Sequence, residues 1–190
     1  LNYVMPLVGR FTPYLNPRWN AETGDWTGRA LYRLTQLTHH ECENSVCRQV
    51  SLYYGSGFPA LWSHQNLDAA THDWLRDEFA NVPISFYRQI TDGVNAGHLV
   101  STGRFDDLPS SATDGPPRTD ARFAFFAGEE NRCFLPESQV RTHSFFDTHR
   151  PGRDSLHVLP EYGHLDVFMG KDAHEEVFPQ MVEELDRDNP

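Results

Sequence analysis

Tyr162-Gly163-His164-Leu165-Asp166 places an imidazole in a glycine-bearing loop between an apolar run and a helical repeat. The run before it, Leu156-His157-Val158-Leu159-Pro160, has the length and character of a strand. After it, Val177, Phe178, Met181, Val182 and Leu185 recur at helical spacing. A strand, a loop and a closing helix present a histidine at the carboxyl end of a sheet, where it can act as a general base, the role positioned histidines most often fill. His164 is read in that role, against the plainer alternative of an ordinary loop histidine. Asp166 could bond His164 or cap the following helix, and capping is the reading preferred. A second group with chemical potential is His39-His40-Glu41-Cys42-Glu43-Asn44-Ser45-Val46-Cys47, because imidazole and thiolate are the usual ligands of zinc. Its Cys-x4-Cys spacing beside two adjacent histidines has no matching ligand pair downstream. The segment is therefore read as a corner between helices with half-buried thiols, and neither a metal nor a cofactor is expected.

Elements that could position these groups follow from periodicity and punctuation. Residues 9–28 are rich in Gly, Pro, Asn and aromatics and read as turns. From Thr27 as N-cap, Ala30, Leu31, Leu34, Leu37 and Thr38 form one face of a helix to about His40. The aromatic-dense stretch 50–63 reads as core rather than a substrate groove. A helix capped by Asn66 or Asp68 carries Leu67, Ala70, Trp74, Leu75 and Phe79 on one face, and another runs from Pro83 to a glycine stop at Gly97. Residues 101–120 turn sharply towards Pro, Ser, Asp and Gly, as a linker or long surface loop does. Beyond them Arg122-Phe123-Ala124-Phe125-Phe126-Ala127-Gly128 predicts a strand buried on both faces of a parallel sheet. Pro136 opens a helix that Pro151-Gly152 ends. Strand, helix, strand, helix in this order is a βαβα unit and places the chain in the α/β class.

Composition narrows the partners. A chain of 190 residues suffices for one domain with a full core and is short for two. Its formal net charge of −11 argues against nucleic acid and anionic membrane surfaces, which need a basic face. No apolar run reaches the roughly 20 residues of a membrane span. Cys42, Cys47 and Cys133 are too few, and odd in number, for a secreted disulfide framework, so a reducing, cytoplasmic setting is expected. The apolar start at Leu1 without an initiator methionine suggests processing, a cleaved product or an incompletely represented gene.

Two places carry a family resemblance. Phe125-Phe126-Ala127-Gly128-Glu129-Glu130-Asn131-Arg132, followed by Leu135-Pro136-Glu137-Ser138, resembles the α/β-hydrolase turn that holds the catalytic acid after the penultimate strand. Tyr162 to Ala173 is similar to the histidine loop of that superfamily, near its acid lipase branch and the hydrolase-like regions beside cholesterol oxidase-type flavoenzymes. The resemblance covers about residues 121–187 and more weakly the helical part. It implies residues 1–100 as a helical cap subdomain, 101–120 as linker or surface loop, and 121–190 as the C-terminal βαβα part of the hydrolase sheet. It also implies a carboxylic ester hydrolase of serine type, lipase-like, acting on a small ester or lipid-like substrate, with His164 as base. Two departures matter. The acid position holds Asn131, with Glu130 as a candidate replacement, and no Gly-x-Ser-x-Gly elbow occurs, since Gly55-Ser56-Gly57 lacks the spacing and the preceding strand. The nucleophile is thus expected upstream of Leu1 or on a second polypeptide. The alternative is a non-catalytic hydrolase-like module that binds an apolar ligand or a partner subunit.

Overall fold

The computed structural model describes residues 8–39, 42–55, 57–101, 103 and 107–187. The opening run 1–7, His40, Glu41, Ser56, residues 102 and 104–106 of the expected linker, and 188–190 lie outside them. The fold is mixed α/β. In chain order come β1 (Tyr14–Leu15), α1 (Trp26–Thr38), α2 (Ser45–Tyr54), a 3₁₀ turn (His64–Asn66), α3 (Ala69–Glu78), β2 (Val82–Pro83), α4 (Ile84–Ala96), β3 (Ala124–Gly128), α5 (Pro136–His149) and β4 (Ser155–Leu159). Three more helices follow among the described residues, the short α6 (Asp166–Met169) and α7 (Ala173–Glu176) and then α8 (Phe178–Asp186).

Helix starts follow local capping chemistry. Asp25 rather than Thr27 caps α1, accepting from Gly28 N at 2.8 Å, because Thr27 is drawn into the first turn and buried. Asn44 caps α2 by accepting from Val46 N and Cys47 N. Of the two candidates for α3, Asp68 is the cap, accepting from Thr71 N at 2.7 Å. Gly97 closes α4 at φ +76°, the left-handed conformation glycine takes without penalty. Beyond α4, Val100 and Ser111 form an isolated antiparallel bridge, flanked by hydrogen bonds from Ser101 N to Ser110 O and from Ala112 N to Leu99 O.

β3 and β4 pair in parallel, Ala124 opposite Ser155 through Gly128 opposite Leu159, with α5 as the crossover. Successive side chains point to opposite faces. Phe123 and Phe125 meet Phe146 of α5 at 4.9 and 5.5 Å between ring centroids, while Phe126 stacks on His157 at 4.5 Å and joins the core of Leu159, Tyr162, Val167 and Val177. Both faces are covered, yet Phe123 to Phe126 are only half-buried, short of the full burial expected. The reason is that β3 and β4 have no further strand beside them among the described residues. In the helical part, buried Val46, Val50, Leu61, Trp62 and Leu75 form a core against which Cys133, Leu165 and Met169 also pack. The helical part and the sheet loops therefore share one interior. No helix among the described residues is long and apolar enough to cross a membrane.

Helix α8 is tied to the sheet by Glu184, which accepts from the Arg122 guanidinium and from His157 Nε2 at 2.7 Å. Burial opposes ionisation of this carboxyl, but the hydrogen bonds from Arg122, His157 and Ser155 outweigh it and hold it at about 2. An unfolded Glu titrates near about 4.3. A depressed native value means that the stabilisation is complete above the unfolded value and is lost as pH falls through the folded one. The thermal midpoint should therefore drop between about pH 4.3 and about 2, and Glu184→Gln should remove that part of the acid dependence while lowering the midpoint at neutral pH.

Candidate active site

The loops after β3 and β4 meet over glycine. A Cβ on Gly128 would lie 2.0 Å from Gly163 O and 2.3 Å from Tyr162 O, so only glycine lets the two turns approach this closely. Glu130 N donates to Tyr162 O at 2.8 Å and Glu129 N to Leu159 O at 2.9 Å, fastening one turn to the other. Gly163 is equally constrained, since its Cβ would meet Asp166 Oδ1 at 2.7 Å and Trp62 Cα at 2.8 Å.

This approach sets Asn131 against His164, with Asn131 Nδ2 3.1 Å from His164 Nδ1. The direction of that hydrogen bond follows from the other end of the amide. Asn131 Oδ1 accepts from Cys133 N and Phe134 N, both at 3.0 Å. Turning the amide over would aim its NH₂ at two N–H donors, so the oxygen stays where it is and Nδ2 faces the ring. An amide N–H can only donate. His164 Nδ1 must therefore accept, and the neutral ring carries its proton on Nε2. The ring is half-buried, edge-on to Phe134 at 5.4 Å. Burial lowers its pKa, with the charge of Asp166 acting in the opposite sense, so the imidazole is neutral at pH 7. Among the described residues no hydroxyl or thiol is hydrogen-bonded to it.

Glu130 is exposed and reaches the loop only through its backbone N–H. One residue along the turn separates its outward side chain from the buried Asn131. Asp166 neither caps a helix nor bonds His164. It is fully buried, and its carboxylate accepts from Gly163 N at 2.9 and 3.0 Å, from Ser63 N at 3.2 Å and from Asn66 Nδ2 at 2.7 Å. Its side chain turns back into the histidine loop because Gly163 leaves the space. The same segment supports the loop through its backbone, His164 N and Leu165 N donating to Leu61 O at 3.0 and 2.7 Å. Asp166→Ala should leave several donors buried and unpaired and cost about 3 kcal/mol. Asp166→Asn should recover little of that, as an amide supplies only one oxygen to donors that now use two. The midpoint of denaturant unfolding measures both.

A second cluster forms where the sequence offered only half a ligand set. Cys42 precedes α2, Cys47 lies in its first turn, His64 begins the 3₁₀ turn and His72 is on α3. Their ligating atoms all lie within 4.8 Å of one another. Cys42 Sγ is 3.6 Å from His72 Nε2, and Cys47 Sγ is 3.3 Å from His64 Nε2. Of the two thiols Cys42 is the more acidic, lowered chiefly by its hydrogen bond with Cys47, whose own pKa that bond and burial raise. His39 stands apart, stacked on Phe58 at 5.5 Å. His64 and His72 follow the cysteine pair after 16 residues and are separated by 7, outside common zinc-motif spacings. The signal available was that both are histidines beside helix starts.

No protein-family signature, curated protein or solved structure matches this chain.

Proposed function

We propose that this chain supplies the general-base histidine of a serine-type carboxylic ester hydrolase, His164, held by Asn131 at the position of the catalytic acid. The observation that carries the reading is the 3.1 Å contact between Asn131 and His164, made across two turns that leave the carboxyl ends of adjacent parallel strands. That is where an α/β-hydrolase keeps its acid and its histidine, in the chain order acid then histidine. β3 and β4 have no further strand beside them among the described residues, which suits pairing with strands of a partner, and a nucleophilic serine from elsewhere in the assembly would complete the triad. The substrate is a small or lipid-like ester, and a reducing cytoplasmic setting suits the free thiols. A fluorophosphonate that labels activated serines tests the proposal. The complete ester-hydrolysing assembly should be labelled at a serine outside the 190 residues, and labelling should fall in His164→Ala. Stoichiometric labelling of a serine within this chain would overturn the missing-elbow argument.

A second reading has one observation in its favour. With Asn131 donating to Nδ1, the free ring nitrogen of His164 is a hydrogen-bond donor rather than a base. That suits a hydrolase-like module that binds a ligand or partner and does no chemistry.

A further inference from the structure

The geometry points to a structural zinc site formed by Cys42, Cys47, His64 and His72, independent of the ester-hydrolase reading. Zinc in structural sites is tetrahedral, with Zn–S near about 2.3 Å and Zn–N near about 2.0 Å, so its ligand atoms must sit roughly 3.3 to 3.8 Å apart. The two sulfur–nitrogen separations, 3.6 and 3.3 Å, are already of that size, and all four atoms fall within 4.8 Å of one another. Both histidines turn Nε2 inwards. That nitrogen holds the free lone pair when the proton sits on Nδ1.

Charge and surroundings agree with this assignment. Two thiolates and two neutral imidazoles around a divalent cation sum to zero, which a site with one buried and three half-buried ligands tolerates. Binding releases the thiol protons to solvent, and no oxidation change is involved. Sulfur and imidazole together in four-coordinate geometry favour zinc over the oxygen-seeking cations. Asn44 provides outer-shell support from two sides. Its backbone N–H donates to Cys42 Sγ at 3.4 Å and its Nδ2 to His72 O at 2.8 Å, while its Oδ1 caps the helix that carries Cys47. Phe58 packs against the His64 ring at 5.5 Å, and the site opens on its other side to a cavity of about 380 Å³ that Asp68 also lines.

The ligands come from α2, its preceding turn, the 3₁₀ turn and α3, so the ion would fasten together pieces that otherwise meet through a modest apolar core. It would also hold the turn that begins at His64, whose neighbours Ser63 and Asn66 donate to Asp166 under the histidine loop. Zinc would thus act on His164 only as a brace at a distance.

The test uses the full chain, purified with zinc and separately in metal-free form. Elemental analysis should find one zinc per chain, and the metal-free protein titrated with cobalt(II) should show the sulfur-to-metal charge-transfer and intense visible bands of a tetrahedral thiolate site. His72→Ala should weaken zinc by more than the roughly 100-fold that losing an outer-shell partner costs. Cys42→Ser and Cys47→Ser should lose the sulfur charge-transfer intensity in turn, and Cys133→Ser should bind as the parent does. The thermal midpoint should rise with free zinc, as mass action requires of a ligand that binds only the folded chain. The cobalt spectrum of the unaltered chain decides the matter even where a cysteine variant does not fold. A Cys42–Cys47 disulfide in reduced-handled protein, an octahedral cobalt spectrum, or a zinc affinity unchanged by His72→Ala would each overturn the site.

Discussion

His164→Ala is expected to lower kcat for ester hydrolysis in the complete assembly by about 100-fold, with KM little changed. The size of the effect follows from the partner of the ring. In serine proteases, replacing the acid by Asn costs about 10⁴ in kcat through the wrong tautomer, and disabling a whole triad costs about 10⁶. Here Asn131 already holds His164 with its proton on Nε2, the nitrogen that should receive the serine proton. The wild-type assembly therefore starts from the impaired level, and roughly 10² remains for the side chain to lose. KM stays because the imidazole acts in the transition state rather than on bound ester. The pH profile carries a second sign. Burial lowers the His164 pKa below its usual 6.5, so the ring stays neutral to lower pH and the acid limb of activity should lie below about 6.5. Unchanged activity in His164→Ala would defeat the triad reading and favour the binding module.

What could be read from the sequence divides along a physical line. Period and punctuation are local, and they located the strands around 124–128 and 155–159, the helix opened by Pro136 and the stop at Gly97. They also placed Asn131 and His164 at the ends of neighbouring strands, since a βαβ crossover leaves both turns on one side of the sheet. The helix Ser45–Tyr54 was hidden because its polar side chains Gln49 and Ser51 are buried, which blurs the apolar period. Gln49 donates to Pro17 O and Trp19 O, and Ser51 Oγ accepts from Ala60 N. Asp166 was misassigned because its partners Ser63 and Asn66 lie about a hundred residues away, and capping rules see only the next turn. The same blindness concealed His64 and His72 from the cysteine pair. Glu184 takes its strongest partners from Arg122, just before β3, and His157 on β4, with only Arg187 close to it in sequence. In each case at least one partner of a buried or half-buried polar group lies far along the chain, where no local pattern encodes it.

Asn131→Asp is expected to raise kcat by up to about 10⁴-fold, the largest gain any single change in this chain should give. The carboxylate fits the existing cradle. One oxygen can take the hydrogen bonds that Oδ1 now accepts from Cys133 N and Phe134 N, and the other then faces His164 Nδ1. An oxygen at that place accepts where the amide nitrogen donated, so the ring must move its proton to Nδ1 and expose the Nε2 lone pair to the serine. The carboxylate also stabilises the imidazolium that forms on proton transfer, which an amide cannot do. Its charge raises the His164 pKa against the lowering by burial, so the acid limb of activity should move to higher pH in the variant. Nitrogen NMR of the ring separates this account from a structural one, because the proton should sit on Nε2 in the wild type and on Nδ1 in Asn131→Asp at the same fold and stability. A rate that stays level while Glu130→Gln lowers it would place the acid at Glu130 despite its exposure. If neither change alters the rate although the tautomer has moved, His164 is not the base, and the donor that its Nε2–H presents in the wild type belongs to ligand binding instead.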